Sequence, residues 1–411
     1  MNTTSTSLCP SADKMHYELD SVIGSGAFGT VYTVKHDQGL VIKKIDRSGI
    51  DSATKKAFTT DLAHFREATN REIELNLILA QTSAVVKLVD MFETEENVWL
   101  VFERMQNTLH SLVVSAVPTY DPVQVCYSMI KCISIMHEMG VAHRDLKPQN
   151  ILISAAATAA ASGAGAAAAL EQLVYDIRIC DLGMAKISKS NSSSPNTSNS
   201  TSSSSSPTSV DDVDAVIHTD YVTTRWYRAP ELICGYAEHN LFALDMWSIG
   251  CIMVEIFTGC VLFPGHNTVE QVQLIGGCLA LGPKAENLKI ANFLRAQPNT
   301  SGIQIMCNAA LLSVREASVR KGVCCDCVGG SSSNSSSSCI SSCINININK
   351  PRPVQTQFQK KLSQSVELLM CLPPKVFDLV TKLLTYDPDI RFTAANALNH
   401  PLFIGSPYPD I

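Results

Sequence analysis

His143-Arg144-Asp145-Leu146-Lys147-Pro148-Gln149-Asn150 is the stretch on which the reading of this chain turns. In one short run it carries the groups that moving a phosphoryl group requires. The Asp145 carboxylate can accept a proton from an attacking hydroxyl, the Lys147 ammonium can hold a transferring phosphate, and the Asn150 amide oxygen can hold a metal ion. Such a run also arises by chance, so its weight depends on whether the rest of the chain supplies the remaining parts.

Upstream, Ile23-Gly24-Ser25-Gly26-Ala27-Phe28-Gly29-Thr30-Val31 gives a turn whose backbone can lie close over phosphates. The same glycine spacing serves a dinucleotide fold when it runs into a helix. Here it runs into Val31-Tyr32-Thr33-Val34, a strand pattern, which favours a hairpin. Leu40-Val41-Ile42-Lys43-Lys44-Ile45 is an apolar strand with two lysines. Alternation puts them on opposite faces, so only one can reach a site beside the hairpin. Lys43 is the expected one; a surface pair on an edge strand is the bland alternative. Residues 54–80 lack Pro and Gly and read as a helix. A lysine beside phosphates needs a carboxylate to fix it. Glu72 is the first choice, and spacing alone leaves Glu67 and Glu74 open. Strands over 85–92 and 98–102 close a mostly β segment, and Glu103-Arg104-Met105 reads as a connector.

Past Asp121, Ile130, Ile133, Met136 and Met139 recur at helical spacing. Residues 151–153 and 177–180 read as paired buried strands leading to Asp181-Leu182-Gly183. The Ala/Gly/Ser run between them, 154–170, is expected to be an inserted hairpin tip, because Gly163 and Gly165 interrupt any helix. Residues 188–209 are nearly all Ser, Thr, Asn and Pro and are expected to be disordered. An apolar helix follows from Asp245 to Phe257, then a helix over 268–296. A second low-complexity stretch, 300–364, holds Cys324, Cys325, Cys327, Cys339 and Cys343 within Ser-rich sequence that gives no fold for a zinc site. Packed structure is expected to resume at Pro374. Residues 1–15 and 404–411 read as loose tails.

Composition excludes several classes. A net charge of -6 gives no basic excess, so nucleic acid is not expected as a partner. Cys126, Cys132, Cys180 and Cys251 sit singly inside apolar runs, as reduced, buried thiols do in an intracellular protein of cytoplasm or nucleus. No run of 18 large apolar residues is present, so no membrane span is expected. Met1-Asn2-Thr3-Thr4 shows no secretory pattern.

Glycine-rich loop, strand lysine, helix glutamate, His-Arg-Asp loop, Asp-Leu-Gly and Ala229-Pro230-Glu231, in that chain order, resemble the signature set of eukaryotic protein kinases. The resemblance covers 17–403 apart from the low-complexity stretches. It implies an α+β, bilobal fold with a β-rich N-lobe over 17–103 and a larger helical C-lobe over 104–403. Thr219-Asp220-Tyr221 followed by Val222-Thr223-Thr224-Arg225-Trp226-Tyr227-Arg228 resembles the activation lip of mitogen-activated protein kinases. Thr258 to Gly265, and Leu383 to Pro388 with Arg391, resemble other segments of theirs. Cyclin-dependent kinases share much of this, and Val101-Phe102-Glu103 looks more like theirs. They usually lack a tyrosine two residues after the lip threonine, so they rank second.

The resemblance implies ATP and Mg2+ as cofactors. Adenine would lie against Glu103 and Met105, among Ile23, Val31, Val41 and Leu152, with Phe102 behind. The 24–29 loop would cover the phosphates, Lys43 paired with Glu72 would hold them, and Asp181 and Asn150 would hold the metal. Asp145 and Lys147 would serve the attacking hydroxyl and the transferring group, with Thr224 tying the lip to both. Glu231 and Arg391 would form a buried ion pair. An upstream dual-specificity kinase would phosphorylate Thr219 and Tyr221. Arg71, Arg144 and Lys186 would meet the first phosphate, and Arg225 and Arg228 the second. Arg228 would favour protein substrates with Ser-Pro or Thr-Pro sites. There are departures: Val41 for Ala, Leu182 for Phe, Lys186 for Arg, Ala68 for a second helix arginine, and Thr108 for a ribose-contacting Asp or Asn. The family's acidic docking extension is not seen after Pro401. A kinase-fold scaffold with little catalysis is the reading from another class, suggested by the weakened switch.

Overall fold

The structure, a computed structural model, describes residues 8–9, 17–26, 29–46, 62–94, 96–115, 120–156, 174–188, 225–233, 240–279 and 357–405. These fall into two compact units. The first runs as far as Ser188 and includes 394–399 and Phe403 onward; the second runs from Arg225 to Thr393 with 400–402.

The first unit begins with a six-stranded antiparallel sheet. Its strands are β1 (Leu8–Cys9), β2 (Tyr17–Gly26), β3 (Gly29–Val34), β4 (Leu40–Asp46), β5 (Leu88–Glu93) and β6 (Asn97–Glu103), in the order β1-β2-β3-β4-β6-β5. Alternation sorts the side chains onto two faces. Tyr17, Ile42, Phe92, Trp99 and Val101 make one core, while Ile45, Val98, Leu100 and Phe102 make another with Ile73 from helix α1 (Leu62–Leu79). Lys44 lies 5.3 Å over the Trp99 ring, opposite Lys43, as alternation requires. β1 is unexpected. It lies in the presumed N-terminal tail, yet Leu8 and Cys9 pair with Glu18 and Tyr17, because the free edge of β2 offers unpaired backbone groups.

The sheet is joined to the segment that carries the opening stretch. β7 (Asn107–Thr108) leads into α2 (Leu109–Val114), then α3 (Pro122–Glu138) and β8 (Val141–Ala142). Asp121 starts α3 by accepting from the Val123 N–H at 2.9 Å, with Pro122 in the first turn, where no N–H is needed. β9 (Ile151–Ala156) pairs with β10 (Val174–Ile179) in continuous antiparallel register, so the expected hairpin forms and is longer than its apolar core. Its tip, 157–173, lies outside the described residues. β11 (Lys186–Ile187) pairs with β8. Two backbone bonds of 2.9 Å, Val86 N–H to Ile179 and Ile179 N–H to Ala84, staple the sheet side to β10. The sheet and the catalytic loop therefore share one compact unit.

The second unit contains α4 (Pro230–Ile233), α5 (Leu241–Thr258), α6 (Thr268–Leu279), α7 (Gln357–Met370) and α8 (Pro374–Leu383); α9 (Ala394–Leu398) belongs to the first. α5 is long and apolar enough to cross a membrane by length and composition, at mean hydropathy 1.6. Its apolar residues are turned inward, with 78% of it buried, and it carries buried Asp245 and Glu255. It is the core helix of this unit. α7 corrects the sequence reading, which took 300–364 as low-complexity and placed renewed packing at Pro374. Ser365 and Leu369 are buried along one face of the helix, a spacing diluted by the Lys, Gln and Ser around it. The extent of the helix expected over 268–296 beyond Leu279, and the cysteines from Cys324 to Cys343, lie outside the described residues.

Candidate active site

Two strands and a helix bring the first group together. Val31 lies opposite Lys43 across the β3–β4 ladder, and Gly26 pairs with Gly29 across β2–β3, so the glycines sit on paired strands as the hairpin reading requires. Gly29 has φ 125°, and a Cβ there would stand 2.3 Å from the Lys44 carbonyl oxygen. Its glycine is a backbone requirement. Gly24 differs: an added Cβ would meet only Val31 Cβ, at 4.0 Å, so the protein itself does not require glycine there.

Lys43 Nζ lies 2.5 Å from Glu72 Oε1 and 3.1 Å from Asp181 Oδ1. This selects Glu72 from the three candidates: Glu67 pairs with Arg71 on the same helix at 3.1 Å, and Glu74 is exposed. Burial alone would push the Lys43 pKa down, but the two carboxylates outweigh it and raise it above the ordinary lysine value. Burial would raise Asp181, yet the Lys43 charge and hydrogen bond hold it below the usual carboxylate range. Glu72 is pushed up by its burial, against the pull of Lys43. Asn76 Nδ2 donates to the Glu72 carbonyl at 2.8 Å and steadies this turn of α1.

The opening stretch supplies the second group. Lys147 Nζ donates to Asp145 Oδ2 at 2.6 Å, and Asn150 Nδ2 donates to the Asp145 carbonyl at 2.9 Å. With its NH2 turned to Asp145, the amide of Asn150 directs its oxygen the other way. That oxygen and the Asp181 carboxylate are hard donors of the kind Mg2+ takes, so these residues fit the metal. Among the described residues no cluster of three or more His, Cys, Asp or Glu forms a separate metal site. Arg144 (φ 68°) and Asp181 (φ 65°) are the non-glycine residues with left-handed backbone among those described. Such strain persists only where surroundings enforce it, and both positions flank the site.

His143, which the sequence reading left without a role, links the two groups. Its Nδ1 accepts the Asp145 N–H at 3.2 Å, so its Nε2 carries the proton and faces the Cys180 carbonyl at 3.0 Å. The fully buried ring thus fixes the backbone of Asp145 against that leading into Asp181. Its position inside the quoted stretch was the only signal.

An apolar wall adjoins these groups. Val41, Met105, Leu152 and Cys180 pack around the core that contains Phe102. Ser154 props its edge, accepting the Gln106 N–H at 3.1 Å. Glu103 ends β6 beside it, while Ile23 and Ser25 are exposed on β2. Leu182 is buried, as an apolar substitute for Phe requires. Thr108 spends its side chain on capping α2, where its Oγ1 accepts the Ser111 N–H at 3.1 Å. Cys180 departs from expectation in being partly exposed, but burial and then the Asp181 charge push its thiol up to about 12.

Arg144 Nη1 reaches the Met184 carbonyl at 3.5 Å, and Lys186 sits on β11. In the second unit Arg225 begins a 3-10 turn, Arg225–Tyr227, and Arg228 follows it. There Glu231 and Arg391 form the expected buried pair, at 2.5 and 3.0 Å through both guanidinium ends. Thr219, Tyr221 and Thr224, and Ala27 and Phe28, lie outside the described residues.

Comparison with known families decides what this geometry belongs to. The family described as "Protein kinase domain" matches residues 17–403. The chain belongs to the protein kinase family. The β-rich N-terminal and helical C-terminal parts agree with the α+β, bilobal kinase fold class that the sequence implied. The kinase is 32% identical over 271 residues to mitogen-activated protein kinase 17 of Arabidopsis thaliana, covering 63% of this chain and 45% of that protein. It is 31% identical over 265 residues to mitogen-activated protein kinase mpkB of Aspergillus fumigatus, covering 63% and 61%. Over 401 residues, 96% of this chain and 48% of the relative, it is 27% identical to mitogen-activated protein kinase 18 of Arabidopsis thaliana. The kinase spans about half the length of the curated relatives it matches.

Proposed function

We propose that this kinase transfers the γ-phosphate of ATP to Ser or Thr of protein substrates in the manner of a mitogen-activated protein kinase. The single observation that carries the reading is the Lys43–Glu72–Asp181 cluster tied through His143 to Asp145, Lys147 and Asn150. Lys43, fixed by Glu72, holds the nucleotide phosphates. Val41, Met105 and Leu152 form the apolar wall for adenine beside Glu103, and the 24–29 hairpin with Val31 covers the phosphates. Asp181 and Asn150 hold Mg2+, which supplies positive charge to the phosphates when bound. Asp145 orients the substrate hydroxyl and accepts its proton, while Lys147 stabilises charge on the transferring group. Thr224 joins the lip to these two. Its serine/threonine preference rests on Lys147 two residues after Asp145.

Regulation and substrate choice follow from the same resemblance. An upstream dual-specificity kinase phosphorylates Thr219 and Tyr221, each phosphate adding about -1.5 to -2 charge. Arg71, Arg144 and Lys186 receive the first, Arg225 and Arg228 the second. Arg228 selects Ser-Pro or Thr-Pro sites. The setting is intracellular, in cytoplasm or nucleus, in keeping with free Cys126, Cys132 and Cys251. The test compares phosphate transfer to matched Ser-Pro and Ser-Ala peptides, with mass spectrometry of the lip from native cells. Preference for Ser-Pro with Thr219 and Tyr221 both modified is the expected result. Equal use of the two peptides by lip-modified protein would overturn the proline-directed reading. Full activity of Tyr221→Phe would favour the cyclin-dependent alternative.

A further inference from the structure

The second unit carries a continuous hydrogen-bonded path from α7 to the residues that follow the lip. Lys361 Nζ on α7 donates to the Pro264 carbonyl and to Glu270 Oε1, each at 2.9 Å. One turn further on, Ser365 Oγ donates to the Leu262 carbonyl at 2.6 Å. These bonds fix the turn between α5 and α6 from one side. Trp226 holds it from the other, its Nε1–H donating to the Gly265 carbonyl at 3.1 Å. Gln271 closes the loop: its Oε1 accepts the Gly265 N–H at 3.1 Å and its Nε2 donates to the Trp226 carbonyl at 3.3 Å. The next residue, Tyr227, is anchored from α5 by its Oη on Glu255 at 2.6 Å and by Ser248 Oγ on its carbonyl at 2.8 Å.

Lys361 and Glu270 are only 13% and 16% exposed, so this pair is not the solvated kind that contributes little. Glu270 also accepts the His266 N–H at 2.7 Å, which places it on the same turn. Without the ammonium, Pro264 loses a donor and Glu270 loses its counter-charge. The Gly265 carbonyl is then free to drift from Trp226.

We propose that Lys361 is a positioning residue for the polypeptide substrate. Through the 262–265 turn it holds Trp226 to Arg228 in the shape that grips a peptide. This rests on the proposed role of that segment in substrate choice. None of these bonds touches a residue assigned to the nucleotide, so the effect is expected on the peptide side alone.

The test uses the full chain labelled with 5-fluorotryptophan, with the Trp226 fluorine signal assigned by Trp226→Phe. In Lys361→Met that signal shifts while the Trp99 signal stays. The KM for a Ser-Pro peptide rises about tenfold, the size of one partly buried charged hydrogen bond, with the KM for ATP unchanged. Lys361→Arg, which keeps the charge, restores most of both effects. An unmoved Trp226 signal in folded Lys361→Met, or parallel changes in both KM values, would overturn the proposal. Should Lys361→Met fail to fold, Glu270→Gln decides by the same readouts. A wild type inactive on every peptide would defeat the kinase reading, and the fluorine signal would still decide the wiring.

Discussion

Arg391 meets Glu231 with both of its terminal nitrogens, whereas Lys43 divides one ammonium between Glu72 and Asp181. The surroundings differ as much as the pairing. Arg391 also donates to the carbonyls of Thr385, Ala243 and Tyr386, so every guanidinium N–H has an acceptor. Its plane lies 5.2 Å over the Trp247 ring. That is a closed bracket with no remaining capacity for a ligand. Around Lys43 two carboxylates face one ammonium, and a partly exposed Asp181 shares it. In the proposed mechanism, a point charge on a flexible stem would be free to turn toward phosphates if Asp181 held the metal. One pair holds the fold, and the other stays available for chemistry.

Removing one partner of each pair should separate them. Arg391→Ala strands a buried Glu231 and should cost roughly 3–5 kcal/mol, read as a large fall in the denaturant midpoint. Lys43→Met should cost clearly less in the same experiment, because Glu72, already pushed up by burial, can take a proton. Equal losses would erase the distinction drawn above.

The bracket side can be probed again through Gly250 on α5. A Cβ there would lie 2.8 Å from Leu384 Cδ2 and 3.1 Å from Leu383 Cβ. Gly250→Ala should therefore cost about 1–3 kcal/mol by overpacking, with nucleotide affinity retained. On the chemistry side, Gly29→Ala should cost at least about 1–3 kcal/mol, from strain at its positive φ with the Cβ clash against the Lys44 carbonyl added. Gly24→Ala should leave thermal stability unchanged and weaken nucleotide binding alone. A stability loss at Gly24 would show that its glycine serves the fold.

The smallest expected effect concerns Cys180. Its thiol, pushed up to about 12, stays protonated at neutral pH and becomes reactive only as pH rises toward that value. Peptide mapping after iodoacetamide treatment at pH 7.5 should find exposed Cys371 modified and Cys180 largely intact. Rapid loss of Cys180 would mean that its surroundings are more open than the packing implies.

Much of this was legible because it depends on period and chemistry. Alternation separated Lys43 from Lys44, and the strand after the glycines identified the hairpin. Glu72 was the first choice from sequence, but spacing left Glu67 and Glu74 open, since all three glutamates suit a helix, and only the meeting of α1 with β4 excludes the other two. His143 was invisible as a link because its partners are main-chain atoms. α7 was missed because its first half falls in the run read as low-complexity and its inward face acquires meaning only against α6. The lip residues Thr219, Tyr221 and Thr224 remain assigned by resemblance alone.

The measurement that bears most directly on the account is phosphate transfer from ATP to a Ser-Pro peptide by the full chain after upstream activation, beside Asp145→Asn. The wild type should phosphorylate the peptide, and the variant, deprived of its proton acceptor while keeping its shape, should fall by about 10²-fold or more. Wild type and Asp145→Asn equally inert, or equally active, would contradict it.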